Sequence, residues 1–208
     1  MFLERLKKNY EVNEPIFTEE VLALFPEYSR VQVFRYLNEA TVSKELIRFC
    51  RGVYFVPKMT CLGIPSTIVP DDVVRKKYMS DGDEVYGVFT GLKLLNTFSI
   101  TTQMPAIIEI ATNKETTPYR EITIRRRTFI LRKARCEINK DNFAAYTIMQ
   151  LFSDFLRNDK VDESSLRVLQ KYIKDEKITV EKVFALAKDF PARAAKNLLR
   201  SGIIDEFA

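Results

Sequence analysis

Residues 29–58 read SRVQVFRYLNEATVSKELIRFCRGVYFVPK, and they carry the clearest structural signals in the first part of the chain. It opens with a capping box, in which Ser29 precedes a helix and Gln32 stands at its third position. Apolar residues then recur at helical spacing, namely at Val33, Leu37 and Ala40. The pattern predicts an amphipathic helix with one face on a core and the other face in contact with water.

A β-hairpin is predicted directly after this helix. The apolar runs 46–49 and 53–56 have the length of strands, and Gly52 between them suits a tight turn. Two further helices precede the capping box, one over 2–10 and one that starts near Thr18. Three helices and a hairpin within about sixty residues are typical of a winged helix-turn-helix.

The rest of the chain predicts a second, mixed domain. A linker with prolines and a glycine begins at residue 60, so we expect domains over 1–60 and 65–208. The patterns in the second domain predict a helix over 87–95, a strand over 106–111, paired strands over 121–127 and 128–135, a helix over 141–157, and three shorter helices near 163–175, 180–189 and 191–200. The predicted fold class is α+β, an N-terminal winged helix-turn-helix followed by a mixed α/β domain with a helical C-terminal tail.

Composition argues against several kinds of chemistry. The chain has 208 residues, a net charge of +5 and no histidine, so the commonest general base and metal ligand is absent. The cysteines at 50, 61 and 136 form no CxxC pair, and we therefore expect no metal site, no disulfide framework and no cofactor. No apolar run has the length of a membrane span or a signal sequence. We expect a cytoplasmic protein that contacts no membrane and is not an enzyme.

The polar face of the helix after Ser29 is the candidate base-reading surface. Arginine and glutamine form paired hydrogen bonds with base edges. The candidate base readers are Ser29, Arg30, Gln32, Arg35 and Tyr36, and the candidate phosphate contacts around the hairpin are Lys44, Arg48, Arg51 and Lys58. The alternative is that this polar face only contacts water. Gln32 also serves the cap, and residues 1–58 are nearly neutral, with nine basic and eight acidic side chains.

A second basic segment lies at 121–135, with the sequence EITIRRRTFILRKAR. Residues 114–140 carry nine basic and three acidic side chains, a larger net charge than that of the whole chain. The basic residues that we single out are Arg125, Arg126, Arg127, Arg132, Lys133 and Arg135. If 121–127 is one strand, Arg125 and Arg127 share a face and Arg126 lies on the other. Such a patch suits binding to nucleic acid or to an acidic protein. The alternative is that the positive charges only keep a solvent-exposed strand edge from pairing with another strand.

Three stretches carry a resemblance to a known family. These are Arg51-Gly52-Val53-Tyr54 with Pro57, the segment from Gly91 to Pro105, and the tail FPARAAKNLLRSGI at 190–203. Together they resemble the AbiEi-type antitoxins of bacterial type IV toxin–antitoxin systems and their DUF6088-like relatives. The resemblance implies an N-terminal winged helix that binds operator DNA and represses its own operon. It also implies a C-terminal domain that neutralises a nucleotidyltransferase-like toxin without necessarily forming a stable complex with it.

Three functions follow from these observations as hypotheses. The leading one is an antitoxin and autorepressor that reads DNA through residues 29–40 and holds it with the hairpin at 46–56, as a homodimer on inverted repeats. The second is a stand-alone transcriptional regulator whose C-terminal domain senses a partner or ligand. The third is an RNA-binding protein or an enzyme that uses the arginines of 121–135.

Overall fold

The computed structural model describes residues 2–155 and 160–207. It shows a mixed α+β chain, which confirms the fold class predicted from the sequence at that level. The chain divides into two compact units, Met1–Lys76 and Lys77–Ala208. Each unit has its own apolar core.

The first unit consists of helices around a small antiparallel sheet. Its elements are α1 (Phe2–Asn9), β1 (Ile16–Phe17), α2 (Thr18–Leu24), α3 (Arg30–Val42), β2 (Ile47–Cys50), β3 (Val53–Phe55) and most of α4 (Pro70–Tyr78). The strand order is β1-β3-β2, so β3 is central and pairs with both neighbours. The helix and the hairpin predicted from residues 29–58 are therefore both present.

The rotation of α3 about its axis is fixed by the core of this unit. Val33 and Leu37 are fully buried and Ala40 is nearly so, as their spacing predicts. Leu6 of α1 and Val21 of α2 are buried in the same core. Burying a side chain of this size contributes about 1.5–3 kcal/mol, so a rotation that exposed these residues would be costly. The opposite side of α3 therefore faces outward.

Residues beyond the hairpin belong to the first unit as far as Lys76. The Lys76 ammonium binds Glu14 at 2.7 Å and Glu20 at 3.2 Å, and it also donates to the carbonyl oxygen of Pro15 at 2.9 Å. The unit boundary accordingly lies between residues 76 and 77, whereas the sequence predicts domain limits at 60 and 65. The linker composition at 60–70 gives no sign of these long-range ion pairs.

The second unit is built on a four-stranded sheet and a group of helices. Its elements after α4 are β4 (Ser80–Asp81), β5 (Glu84–Val85), β6 (Gly87–Thr90), α5 (Gly91–Thr97), β7 (Ile108–Thr112), β8 (Arg120–Ile124), β9 (Arg127–Lys133), α6 (Phe143–Asp154), α7 (Glu163–Asp175), α8 (Val180–Ala185) and α9 (Ala192–Arg200). The sheet has the order β6-β7-β9-β8, and β7 and β9 run parallel. No helix within the described ranges is long and apolar enough to cross a membrane.

Residues 87–90 form the strand β6, whereas the sequence predicts a helix over 87–95. The helix starts only at Gly91, whose φ of +63° breaks the strand in a conformation that favours glycine. β6 pairs with β7 and places Val88 opposite Ala111. Pairing with a distant strand therefore overrides the local helical pattern.

Helix α6 lies in the middle of the second core. All of its residues from 144 to 153 are buried, as expected of a helix that is apolar nearly all round. The Asn197 side chain of α9 donates to the carbonyl oxygen of Phe152 at 2.9 Å and so joins the helical tail to α6. The sequence predicts this helix over 141–157, of which residues 156–157 lie outside the described residues.

Asp162 caps α7 and links the stability of the second unit to acidic pH. Its Oδ1 accepts hydrogen bonds at 2.8 Å from the backbone N–H of Ser165 and from the hydroxyl of Ser164. These bonds lower the pKa of Asp162 from 3.8 to about 2. Because its pKa is lower in the folded state, Asp162 stabilises that state at pH values above its ordinary pKa. This stabilisation is lost as the pH falls through the lowered pKa.

We expect Asp162→Asn to make thermal unfolding less sensitive to pH between about 4 and 2, because asparagine caps a helix without titrating. The measurement is the unfolding midpoint by circular dichroism across this range. Asp175→Asn, which removes one exposed carboxylate at the other end of α7, serves as the control. Equal pH dependence in the wild type and in Asp162→Asn would contradict the assignment.

Candidate nucleic-acid interface

The first turn of α3 is held by the capping box that the sequence predicts. The backbone N–H of Gln32 donates to Ser29 Oγ at 3.3 Å, and the N–H of Ser29 donates to Gln32 Oε1 at 2.8 Å. Paired recognition of adenine needs both the oxygen and the nitrogen of a carboxamide. Because the cap already uses the oxygen, Gln32 reads adenine in this way only if the cap opens.

The outermost stripe of α3 differs from the set of base readers predicted from the sequence. It lies opposite the buried residues and consists of Val31, Arg35, Asn38 and Val42. Val31 is 79% exposed and Val42 is 76% exposed, which is high for valine. The sequence-based assignment missed Val31 and Asn38, although their spacing of seven residues is itself a helical signal.

Arg30 and Arg35 extend from α3 into solvent. The Arg30 guanidinium carbon lies 5.6 Å from the ring centre of Phe34, which is 40% exposed. Arg35 Nε lies 3.6 Å from Glu39 Oε1, one turn further along the helix. An exposed pair of this kind contributes about 0.3–0.5 kcal/mol, so it is easily exchanged for a stronger partner.

The Tyr36 ring belongs to an aromatic cluster of the first unit. Its centre lies 5.0 Å from that of Phe2 and 5.4 Å from that of Tyr28. The side chain is half-buried and packs against the core. The ring therefore supports the position of α3, and its role as a base reader stays a prediction.

Lys44 ends α3 in the left-handed conformation, with φ +61°. Its N–H donates to the carbonyl oxygen of Thr41 at 3.2 Å. The N–H of Glu45 donates to the carbonyl oxygen of Ala40 at 3.0 Å, which completes a Schellman motif. Glycine is the usual residue at this position, because a side chain there costs roughly 1 kcal/mol. A basic side chain thus stands where the backbone favours glycine.

We expect Lys44→Gly to raise the free energy of unfolding by about 0.5–1 kcal/mol, because glycine adopts positive φ without strain. Urea denaturation measures the difference. Lys44→Ala is the matched control, since it removes the charge but keeps the Cβ atom. The prediction is wrong if the glycine variant is no more stable than the alanine variant.

The β2–β3 hairpin is tied to the start of α2. The carbonyl oxygen of Gly52 accepts hydrogen bonds from the backbone N–H and the hydroxyl of Thr18, at 3.0 and 3.2 Å. Gly52 has φ +76° in the turn, and Arg51 beside it is exposed. Arg48 on β2 and Lys58 after β3 are exposed as well. The four predicted phosphate contacts are therefore all accessible.

Lys44 and Arg48 line one cavity of the first unit. The cavity has a volume of about 460 Å³, and its apolar lining includes Leu46, Ile47 and Met59. Arg51 and Lys58 do not line it. The structure thus brings together the two basic residues that flank the start of β2.

The arginines at 125–127 lie at the tip of the β8–β9 hairpin. Ile124 pairs with Arg127, so Arg125 and Arg126 form a two-residue turn. The prediction that 121–127 is one strand with these arginines on alternate faces is therefore wrong. Arg125 has φ +55°, where hairpin turns usually have glycine, and no turn signal in the sequence marks it.

The other three basic residues of this segment lie towards the far end of β9, about 20 Å from the tip. Arg132 Nε donates to Glu109 Oε2 on β7 at 2.7 Å. The Arg135 guanidinium carbon lies 5.4 Å from the ring centre of Phe190, and Lys133 is exposed. The six residues that the sequence groups together therefore form two separate sets.

A cavity of about 300 Å³ in the second unit is lined by Arg132, Lys133 and Arg135 together with Thr90, Tyr146 and Gln150. Burial raises the pKa of Tyr146 to about 12, so its hydroxyl stays protonated. Two carboxylates accompany these three cations: the carboxylate of Glu109 accepts a hydrogen bond from Arg132, and that of Asp154 accepts one from Thr90 at 2.8 Å. The three basic side chains therefore outnumber the two carboxylates at this cavity.

The chain matches the DUF6088 family over residues 14–180, more than three quarters of its length. It belongs to the DUF6088 family. The family is described as one of unknown function, and no curated protein matches the chain. The DUF6088 region includes α3, the β2–β3 hairpin and both sets of basic residues in the second unit.

Proposed function

We propose that the first unit is a winged helix-turn-helix that binds operator DNA and represses its own operon. The exposed part of α3 carries the proposal, because it presents Arg35 and the carboxamide of Asn38 on its outward stripe, and Arg30 at its start, beside a hairpin that ends in a basic turn. The order α1-β1-α2-α3-β2-β3 and the strand order β1-β3-β2 support it. In this fold the third helix enters the major groove and the hairpin lies along the backbone.

The proposed division of labour follows from chemistry and position. Arg30 and Arg35 contact base edges, since their guanidinium groups form paired hydrogen bonds with guanine. The accessible basic residues after α3 contact phosphates: Lys44, Arg48, Arg51 and Lys58. With four phosphate contacts for each bound chain, we expect log Kd to rise by about 3–4 for each tenfold increase in salt concentration. Local positive charge thus attracts DNA although residues 1–58 are nearly neutral as a whole.

The second part of the proposal is that the chain is an antitoxin of the AbiEi type. It rests on the resemblance of residues 51–57, 91–105 and 190–203. A nucleotidyltransferase-like toxin is then the functional partner. A stand-alone regulator is the alternative, and it needs no toxin gene beside its own.

Repression is tested with a reporter gene behind the protein's own upstream DNA. The wild-type chain lowers reporter output, and Arg48→Ala/Arg51→Ala restores it, because the variant cannot bind two of the four phosphates. Lys171→Ala/Lys174→Ala removes the same charge from exposed positions of α7 and leaves repression intact. Unchanged output with the wild-type chain would contradict the proposal.

Neutralisation is tested separately, by expressing the adjacent gene with and without this chain. Growth arrest that the chain relieves supports the antitoxin assignment. If the chain represses its own operon but the adjacent gene encodes no toxin, the chain is a stand-alone regulator instead.

A further inference from the structure

We infer that Val31 and Asn38 determine operator specificity by reading A·T base pairs, Val31 through a thymine methyl group and Asn38 through an adenine edge. The inference rests on the proposed function, namely that α3 enters the major groove. It assigns a role to two residues whose side chains stand at the centre of the exposed face.

The position of these residues follows from helix geometry. Successive side chains turn by about 100°, so Val31, Arg35 and Asn38 lie within one narrow stripe. This stripe is opposite Val33 and Leu37, which the core buries completely. Val31 and Asn38 are seven residues apart, about 10 Å along the axis, which matches roughly three base-pair steps. Both can therefore contact a single half-site.

The chemistry of Val31 points to thymine. Valine has a modest helix propensity, and at 79% exposure Val31 contributes little to the core. The C5-methyl of thymine is the apolar group that unmodified base pairs present in the major groove. Arg35 in the same stripe and Arg30 at the start of the helix add positive charge near Val31, which favours DNA over an apolar protein surface as its partner.

The chemistry of Asn38 points to adenine. An asparagine carboxamide donates to N7 and accepts from N6 of adenine at the same time. Within the described part of the chain, the Asn38 side chain is exposed and has no hydrogen-bond partner. Both of its polar atoms are thus available, whereas the oxygen of Gln32 is used by the cap.

The test measures binding of the full chain to its upstream promoter DNA, prepared with thymine, with uracil in place of thymine, or with 7-deazaadenine in place of adenine. Uracil weakens wild-type binding about fourfold for each thymine methyl group that the protein contacts. Val31→Ala lacks the two γ-methyl groups of valine, so it binds normal DNA more weakly and loses most of the sensitivity to uracil. It folds at least as well, because alanine has the higher helix propensity. Asn38→Ala binds about tenfold more weakly and is insensitive to 7-deazaadenine.

Val69→Ala is the matched control, since Val69 is an exposed valine of the same unit outside α3. It keeps both wild-type affinity and sensitivity to uracil. If the wild-type chain binds the promoter selectively and neither uracil nor 7-deazaadenine changes its affinity, the inference is wrong while the proposed function stands. Full uracil sensitivity in Val31→Ala would likewise contradict the inference and leave the proposed function standing. Absence of selective wild-type binding overturns the proposed function instead.

Discussion

We expect the replacement of Arg30 and Arg35 together with alanine to lower the affinity for the upstream promoter DNA by about a hundredfold or more. Each guanidinium that bonds a guanine edge at two points is worth about 1–3 kcal/mol, and both side chains are exposed to solvent, Arg30 in the first turn of α3 and Arg35 on its outward stripe. The ion pair of Arg35 with Glu39 competes only weakly for this contact. Fluorescence anisotropy with a labelled promoter fragment measures the change in affinity.

The charge-conserving variant Arg30→Lys/Arg35→Lys separates base reading from electrostatic attraction. Lysine keeps the positive charge but lacks the planar fork, so we expect the variant to bind DNA and to lose its preference for the promoter sequence. Both variants should unfold like the wild type, because neither side chain is part of the core. Full selectivity in the lysine variant would show that the two arginines read no bases.

Gly87→Ala should destabilise the second unit by about 2–3 kcal/mol or more. A Cβ atom on Gly87 would lie 2.1 Å from the carbonyl oxygen of Tyr78 and 3.1 Å from that of Ala111. Both are backbone atoms, so the clash cannot be relieved by a side-chain rotation. The strand β6 must shift, and its pairing with β7 weakens. Urea denaturation of the full chain measures the effect.

Gly82→Ala provides the matched control in the same unit. Gly82 has φ +53°, and a Cβ atom there meets nothing within 4 Å. Its substitution costs only the strain of the left-handed conformation, roughly 1 kcal/mol. Equal destabilisation in the two variants would mean that the close approach at Gly87 is not the cause.

Local signals in the sequence were sufficient to predict α3 and the β2–β3 hairpin. The capping box at Ser29, the spacing of Val33 and Leu37, and Gly52 in the turn all act within a few residues, and the structure contains each of them. The outward face of α3 was harder to predict, because it depends on contacts with distant elements. Phe2 of α1 packs on Tyr36 and so removes that ring from the outward stripe.

Elements set by distant partners could not be predicted in the same way. The strand β6 forms because β7 pairs with it, although residues 87–90 lead directly into a helix. The turn at Arg125 has a positive φ without a glycine, so no pattern of turn residues in the sequence predicts it. The first unit extends to Lys76 through ion pairs with Glu14 and Glu20, more than fifty positions earlier in the chain.

Sequence-selective DNA binding by the first unit is tested by measuring the affinity of the full chain for its own upstream promoter DNA and for a shuffled duplex of the same composition, each at several salt concentrations. We expect the promoter to bind at least about a thousandfold more tightly than the shuffled duplex, and log Kd to change with log salt with a slope of about 3–4 per chain. Equal affinity for the two duplexes, or binding that salt does not weaken, would contradict the claim that the first unit is a sequence-selective DNA reader.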